Sequence, residues 1–290
     1  MLMSLLLFAA CGKEQCGDES FSAVFRVGAA AGTKASAEAS RINRYIMEVY
    51  SESGDVFYDR IEKVVPDGTL ETTMEVSLHV GLEYNFVFWA DCSDGGKDIF
   101  YETCSKGDHG LRAVSTKENY SGNDDRRDAF CASLRMAAHK AFEEKIILRR
   151  PFARICVMKD DLDRLPTDYV KPTGISVRFT ACSCIDPMTG ELSSEREFSY
   201  SAVPYYSTDP EPFIAGYSTM SMDYVLASAE RSINPSMEFT STFAAGSCTR
   251  TFTNFGYQRN HKTNIMGSIL TEDASYDIIL SPDFDSDNLE

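Results

Sequence analysis

The strongest constraint on the fold is a strict alternation at residues 74–80. Met74, Val76, Leu78 and Val80 are apolar, and Glu75, Ser77 and His79 between them are polar. A period of two gathers the apolar set on one face of an extended strand and scatters it around a helix. Residues 82–90 repeat the texture, with Leu82, Tyr84, Phe86 and Phe88 on one parity and Val87 and Trp89 on the other. Residues 175–182 set Ile175, Val177, Phe179 and Ala181 against Ser176, Arg178, Thr180 and Cys182. Further short strands are expected at 21–27, 45–50, 56–58, 129–136, 142–148, 198–203, 220–227, 237–243, 250–257, 264–270 and 276–280. Ser53-Gly54-Asp55 and Asp186-Pro187-Met188-Thr189-Gly190 supply turn chemistry. No amphipathic helical pattern exceeds two turns. Many short strands separated by turns specify an all-β sandwich or barrel.

Residues 145–157 divide the chain. Ile146, Leu148 and Phe152 share one strand parity, and Ala153, Ile155 and Val157 share the other. A run apolar on both faces suits a strand buried in a sandwich. Pro151 cannot donate to a ladder, so the run is expected to bend or bulge there. The flanking lengths and textures are similar, and 290 residues suit two modest domains. The expected boundaries are 21–147 for an N-terminal β-sandwich domain and 148–290 for a C-terminal one.

Charge and motifs exclude several functions. The chain carries 44 acidic against 28 basic residues, a net charge of −16. Such a surface repels phosphate backbones, so no nucleic-acid partner is expected. No P-loop, dinucleotide glycine pattern, Gly-x-Ser-x-Gly or His-Glu-x-x-His occurs. The four histidines are isolated from one another. Neither an enzyme nor a cofactor or metal site is expected. Arg149, Arg150 and Arg154 are read as ion-pair partners for the abundant acids rather than as an anion site. Asp283-Phe284-Asp285-Ser286-Asp287 lacks the glycine and distal glutamate of an EF-hand and reads as a solvated tail.

The N-terminus reads as a targeting segment. Residues 2–10 form a short apolar run that ends Phe8-Ala9-Ala10-Cys11, the pattern of a signal peptide with small residues before its processing site. It resembles a bacterial lipoprotein signal, with Cys11 as the lipidated residue, residues 1–11 as signal and lipid site, and 12–20 as tether. Gly12-Lys13-Glu14-Gln15 resembles the charged tag of lipoproteins sent to the outer face of the cell. Phe8 in place of leucine, and the absence of Lys or Arg before the apolar run, depart from the pattern. Of nine cysteines, eight remain after Cys11. They are compatible with disulfides in an exported chain or with buried free thiols. Cys92 and Cys104 flank a loop containing Gly95-Gly96 and form the best candidate bridge, worth about 3 kcal/mol if closed.

Several segments in matching order resemble a known family. They are Tyr-Asn-Phe-Val-Phe-Trp-Ala (84–90), Arg127-Asp128-Ala129-Phe130, Leu-Arg-Arg-Pro-Phe-Ala-Arg-Ile (148–155), Met-Ser-Met-Asp-Tyr-Val-Leu (220–226) and residues 257–271. Together they span nearly all of residues 21–284. They resemble fimbrillin-like Bacteroidales lipoproteins, the class of type V pilus subunits and their relatives. The resemblance implies two transthyretin-like β-sandwich domains in tandem, no enzymatic activity, and a structural or adhesive role at the cell outer membrane. It implies partners that are other fimbrial-type subunits, joined by strand exchange, and an outer-membrane lipid anchor. It also implies proteolysis after an arginine. Arg26 is the candidate, with Arg41 and Arg44 as alternatives. The exchangeable strands are 21–27, with Phe21, Val24 and Val27, and 276–280, with Tyr276, Ile278 and Leu280. In the first, Phe21, Ala23, Phe25 and Val27 share one parity. The alternative is a monomeric surface lipoprotein binding a glycan or host ligand through Trp89, Tyr205 and Tyr206.

Overall fold

The computed structural model describes residues 19–29, 41–165, 171–205, 216–271 and 275–281. The first half contains β1 (Ser20–Ala29), β2 (Arg44–Ser51), β3 (Phe57–Val64), β4 (Glu71–His79) and β5 (Glu83–Asp91). Three very short strands follow, β6 (Ser93–Asp94), β7 (Lys97–Asp98) and β8 (Tyr101–Glu102), then β9 (Val114–Thr116), β10 (Phe130–Ala137) and β11 (Phe142–Leu148). The second half holds β12 (Phe152–Lys159), β13 (Gly174–Ile185), β14 (Leu192–Ala202), β15 (Ser218–Leu226), β16 (Ser232–Phe243), β17 (Gly246–Tyr257), β18 (Lys262–Ser268) and β19 (Ser275–Ser281). Single 3₁₀ turns are the only helical pieces among the described residues.

These strands build two sandwiches. In the first, the sheet β11–β1–β4 faces the sheet β10–β5–β2–β3. Their inner faces share one core of Phe25, Val27, Tyr45, Met47, Met74, Leu78, Phe86, Phe88 and neighbours. In the second, β15–β12–β18–β19 faces a sheet centred on β13. Ile155, Val157 and Ile265 of the first of these sheets pack against Val177, Phe179, Phe239 and Phe252 of the other. The alternation at 74–80 does what the period requires. Met74, Val76 and Leu78 are buried, whereas Glu75, Ser77 and His79 are exposed. Gly54 takes a φ of 79° in the β2–β3 turn, a region that side chains with a Cβ seldom enter.

The run at 145–157 is two strands. β11 ends at Leu148 and β12 begins at Phe152, with Pro151 between them. Ile146 and Leu148 belong to the first core, and Ala153, Ile155 and Val157 to the second. All of β12 is buried. Its other face, with Phe152, Cys156 and Met158, packs into a third apolar cluster between the sandwiches. That cluster also takes the outer face of the first sandwich, through Ile46, Val87 and Trp89.

Residues 92–128 do not stay within the first half. β8 and β9 extend the sheet of the second sandwich, with Ser115 opposite Cys184 and Val114 opposite Ile185. Tyr120 joins the core of the second sandwich. Tyr101, Leu111 and Val114 fill the third cluster.

Candidate assembly surfaces

The terminal strands occupy unequal positions. β1 is the central strand of its sheet. It runs antiparallel to β4, with Ser20–Gly28 opposite His79–Glu71, and parallel to β11, with Ala23–Ala29 opposite Phe142–Leu148. Nothing else ties β4 to β11 within that sheet. Ala23, Phe25 and Val27 are at most 1% exposed. Phe25 lies 4.8 Å from the Phe86 ring and 5.4 Å from Phe88. Phe21 packs at the rim of the core, with its ring centroid 6.2 Å from Phe142. Val24 stands on the opposite face with Ser22 and Arg26. β1 therefore sits in a slot between β4 and β11, and its inward side chains fill alternate pockets of a groove floored by the opposite sheet.

β19 is an edge strand paired only with β18, from Ser275 opposite Ser268 to Ser281 opposite Lys262. The Tyr276 ring meets Phe252 at 5.0 Å, Ile278 packs on the second core, and Leu280 is half-buried. Its ladder is single where that of β1 is double.

The candidate cleavage arginines separate clearly. Arg26 has its main chain paired to both neighbours, opposite Thr73 and Lys145, and its side chain ion-pairs with Glu143. Arg44 is 1% exposed. Its Nε donates to Asp91 Oδ1 at 2.8 Å and its Nη2 to Asp91 Oδ2 at 2.7 Å, with Asp98 2.8 Å away. Arg41 is exposed and lies before β2, outside any strand. Of the three, only Arg41 lies outside a strand, and the residue after it, Ile42, is buried in the first core with its carbonyl accepting Gly68 N at 3.0 Å.

The other sequence-derived sites are placed as follows. Cys11 and Cys16 lie outside the described residues. Cys92 and Cys104, the candidate bridge, are placed as free thiols. Cys92 is buried in the third cluster, and Cys104 Sγ donates to Gly107 O at 3.2 Å within its own turn. Burial pushes both thiols upward. Trp89 is fully buried, with Nε1 donating to Asp91 Oδ2 at 3.0 Å, so it offers no platform to a ligand. Tyr205 donates to Asp125 Oδ2 at 2.9 Å, and Tyr206 lies outside the described residues. Arg150 forms the expected ion pair, bidentate to Asp128 at 2.8 and 2.7 Å, with both side chains buried. No cluster of His, Cys, Asp or Glu among the described residues is arranged to hold a metal.

Sequence reasoning missed the splint formed by residues 92–128. On the first sandwich, fully buried Glu48 accepts Gly110 N and Leu111 N, each at 2.9 Å. It also accepts Arg60 Nη1 at 2.5 Å and the Tyr50 hydroxyl. On the second sandwich, Asn123 Oδ1 accepts Met222 N, and Asn123 N donates to Met222 O. Arg112 Nε donates to Asp186 at 2.9 Å, and Arg196 Nη2 donates to Lys117 O at 2.7 Å. Asp223 is buried between two tyrosines, accepting Tyr120 on Oδ1 and Tyr200 on Oδ2, each at 2.9 Å. Arg127 stacks 4.1 Å over the Tyr120 ring. A strand-period reading of residues 92–128 finds a polar stretch with weak strands near 99–102 and 111–115, which overlap β8 and β9, but it gives no sign of their long-range partners.

Comparison with known proteins places this arrangement. The model of a family of unknown function, DUF6562, matches residues 20–290. The chain belongs to this family. No curated protein matches this DUF6562 chain. Its fold is shared with solved structures from Bacteroidales. The tip fimbrial protein Mfa3 from Porphyromonas gingivalis aligns at TM-score 0.52 with 11% identity, covering 90% of this chain and 99% of that one. A fimbrial assembly protein from Parabacteroides distasonis aligns at 0.52 with 11% identity, covering 90% and 95%. A proposed cell adhesion protein from Bacteroides eggerthii aligns at 0.53 with 9% identity, covering 90% and 96%. At these identities the likeness establishes the fold, and it bears out the fimbrillin-like resemblance at that level.

Proposed function

We propose that this DUF6562 protein is a non-enzymatic surface lipoprotein of fimbrial type, anchored in the outer membrane through Cys11, that joins other fimbrial-type subunits by β-strand exchange. The observation that carries the reading is the central seat of β1. Removing it leaves two strands with unpaired N–H and C=O groups facing one slot, and an apolar groove with pockets for Ala23, Phe25 and Val27. A donor strand supplies both ladders and refills alternate pockets. β19 of a neighbouring subunit is the matching donor. It leaves by breaking one ladder, and Tyr276, Ile278 and Leu280 recur at the same two-residue spacing. Release of β1 begins with a cut after Arg41 rather than Arg26, because the Arg26 peptide is locked between two strands; the cut also removes Cys11, so the lipid anchors the chain only until it assembles.

The test is N-terminal sequencing of surface-extracted protein, beside unboiled gels. A start at Ile42 together with an oligomer ladder supports exchange. A modified Cys11 start throughout, with no ladder, would sink it. Anchoring has its own assay: a fatty-acid probe labels the wild type and misses Cys11→Ala.

A further inference from the structure

β3 is the outermost strand of its sheet, and its outer edge is unpaired among the described residues. Three of the chain's exposed large hydrophobics lie on or beside it: Val56 at 53%, Tyr58 at 51% and Val64 at 55%. Natural edges are commonly blunted by charge, and this one carries charge in an unusual order: Asp59, Arg60, Ile61, Glu62, Lys63. Read about Ile61, the order is complementary to itself. An identical strand laid antiparallel sets Asp59 opposite Lys63 and Ile61 opposite Ile61, and it sets Arg60, already paired with Glu48 and Glu62 of its own chain, opposite a second Glu62.

The backbone is phased for that register. Val65 N donates to Asn43 O, and Arg44–Val49 pair with Val64–Asp59. Antiparallel alternation then turns the N–H and C=O of residues 59, 61 and 63 toward β2 and those of Arg60 and Glu62 outward. A two-fold axis through Ile61 makes residues 60 and 62 of the two copies hydrogen-bonded pairs, with Ile61 at the non-bonded position between them. Faces agree as well. Asp59, Ile61 and Lys63 share one face, and Arg60 and Glu62 share the other. The neighbouring register, centred on Glu62, opposes two glutamates and sets Arg60 against Val64. The pairing stops near Tyr58, where the β2–β3 register shifts.

We infer that the β3 edge is a homotypic docking surface, taking a second copy of this chain antiparallel about Ile61 to join two four-stranded sheets into one. The contact is isologous, so it closes at a dimer. It is independent of strand exchange, since it needs no cut and frees no strand. Five paired residues make a small interface, so association is weak and concentration-dependent.

Sedimentation velocity of the full chain over a concentration series tests this, using Asp59→Lys and the double variant Asp59→Lys/Lys63→Asp. Both side chains are exposed, though Asp59 accepts Arg60 N and Lys63 donates to Thr73 O, so circular dichroism and melting of each variant are matched to the wild type before association is compared. The wild type should show a monomer–dimer equilibrium. Asp59→Lys opposes like charges twice across the axis and should weaken the dimer by roughly tenfold. The double variant restores opposite charges and should recover it. A wild type monomeric throughout, a dimer indifferent to Asp59→Lys, or a double variant no better than the single one overturns the proposal.

Discussion

Asp223 has no exposed surface, and burial is the main cause that pushes its carboxyl from the usual 3.8 up to about 6, against the opposing pull of Tyr200, Tyr120 and Arg127. The folded state therefore holds the proton more tightly than the unfolded one. The stabilisation is full below about pH 4 and is lost as pH rises through about 6. A displacement of this size corresponds to about 3 kcal/mol. Denaturant unfolding of wild type and Asp223→Asn between pH 4 and 7 should show a difference that changes by up to this amount. Parallel curves would mean that Asp223 does not titrate in this window. Gly122 lies against the same tyrosine, and a Cβ there falls 2.1 Å from Tyr200 Cζ. Gly122→Ala must displace the Tyr200 ring and its bond to Asp223. A loss of about 1–3 kcal/mol, as for other overpacked sites, is expected in urea unfolding.

The splint is tied to the first sandwich by Asn43 at Ser93, by Arg44 at Gly96 and Asp98, by Arg60 at Thr103, and by fully buried Glu48, which alone holds the Gly110–Leu111 backbone. Glu48→Ala leaves two buried backbone donors without their acceptor and takes from Arg60 its buried carboxylate partner, leaving it Thr103 and Glu62. Removing one member of a buried charge pair costs about 3–5 kcal/mol. Hydrogen exchange should then speed up at Gly110 and Leu111 first, while the β1–β4 ladder stays protected. Uniform loss of protection would contradict local anchoring. The same logic separates the terminal strands. β1 opens only if two ladders and the Phe25 cluster give way, so its amides should exchange near the global rate, and those of β19 sooner.

Taken whole, the two sandwiches are joined by more than the short link around Pro151. The third apolar cluster, the buried Arg150–Asp128 pair and the shared sheet through β9 cross from one to the other. Calorimetry should therefore record one cooperative transition, because neither sandwich can unfold without exposing the cluster between them. Two resolved transitions would show that the junction contributes little. A rigid junction also suits a subunit that transmits load along an assembly, the setting proposed for this chain.

Strand existence was legible locally. At residues 74–80 and 175–182 the alternation names the buried face, because pleating puts successive side chains on opposite sides whatever the neighbours are. The double-sided burial of β12 was legible too, since Ala153, Ile155 and Val157 are interleaved with Phe152 and Cys156. The period carries no information about partners. That β1 lies parallel to β11 and between it and β4, that Trp89 is buried rather than offered to a ligand, and that Cys92 and Cys104 stay apart depend on contacts far along the chain. Residues 92–128 are the extreme case. Beyond the short β6–β7 and β8–β9 ladders, the Gly110 and Leu111 donors go to Glu48 and the Asn123 donor to Met222 O, so the tertiary structure sets their order. The charge order at 59–63 was present in the sequence, but it became meaningful once the fold left β3 at an edge, with Arg60 and Glu62 turned outward.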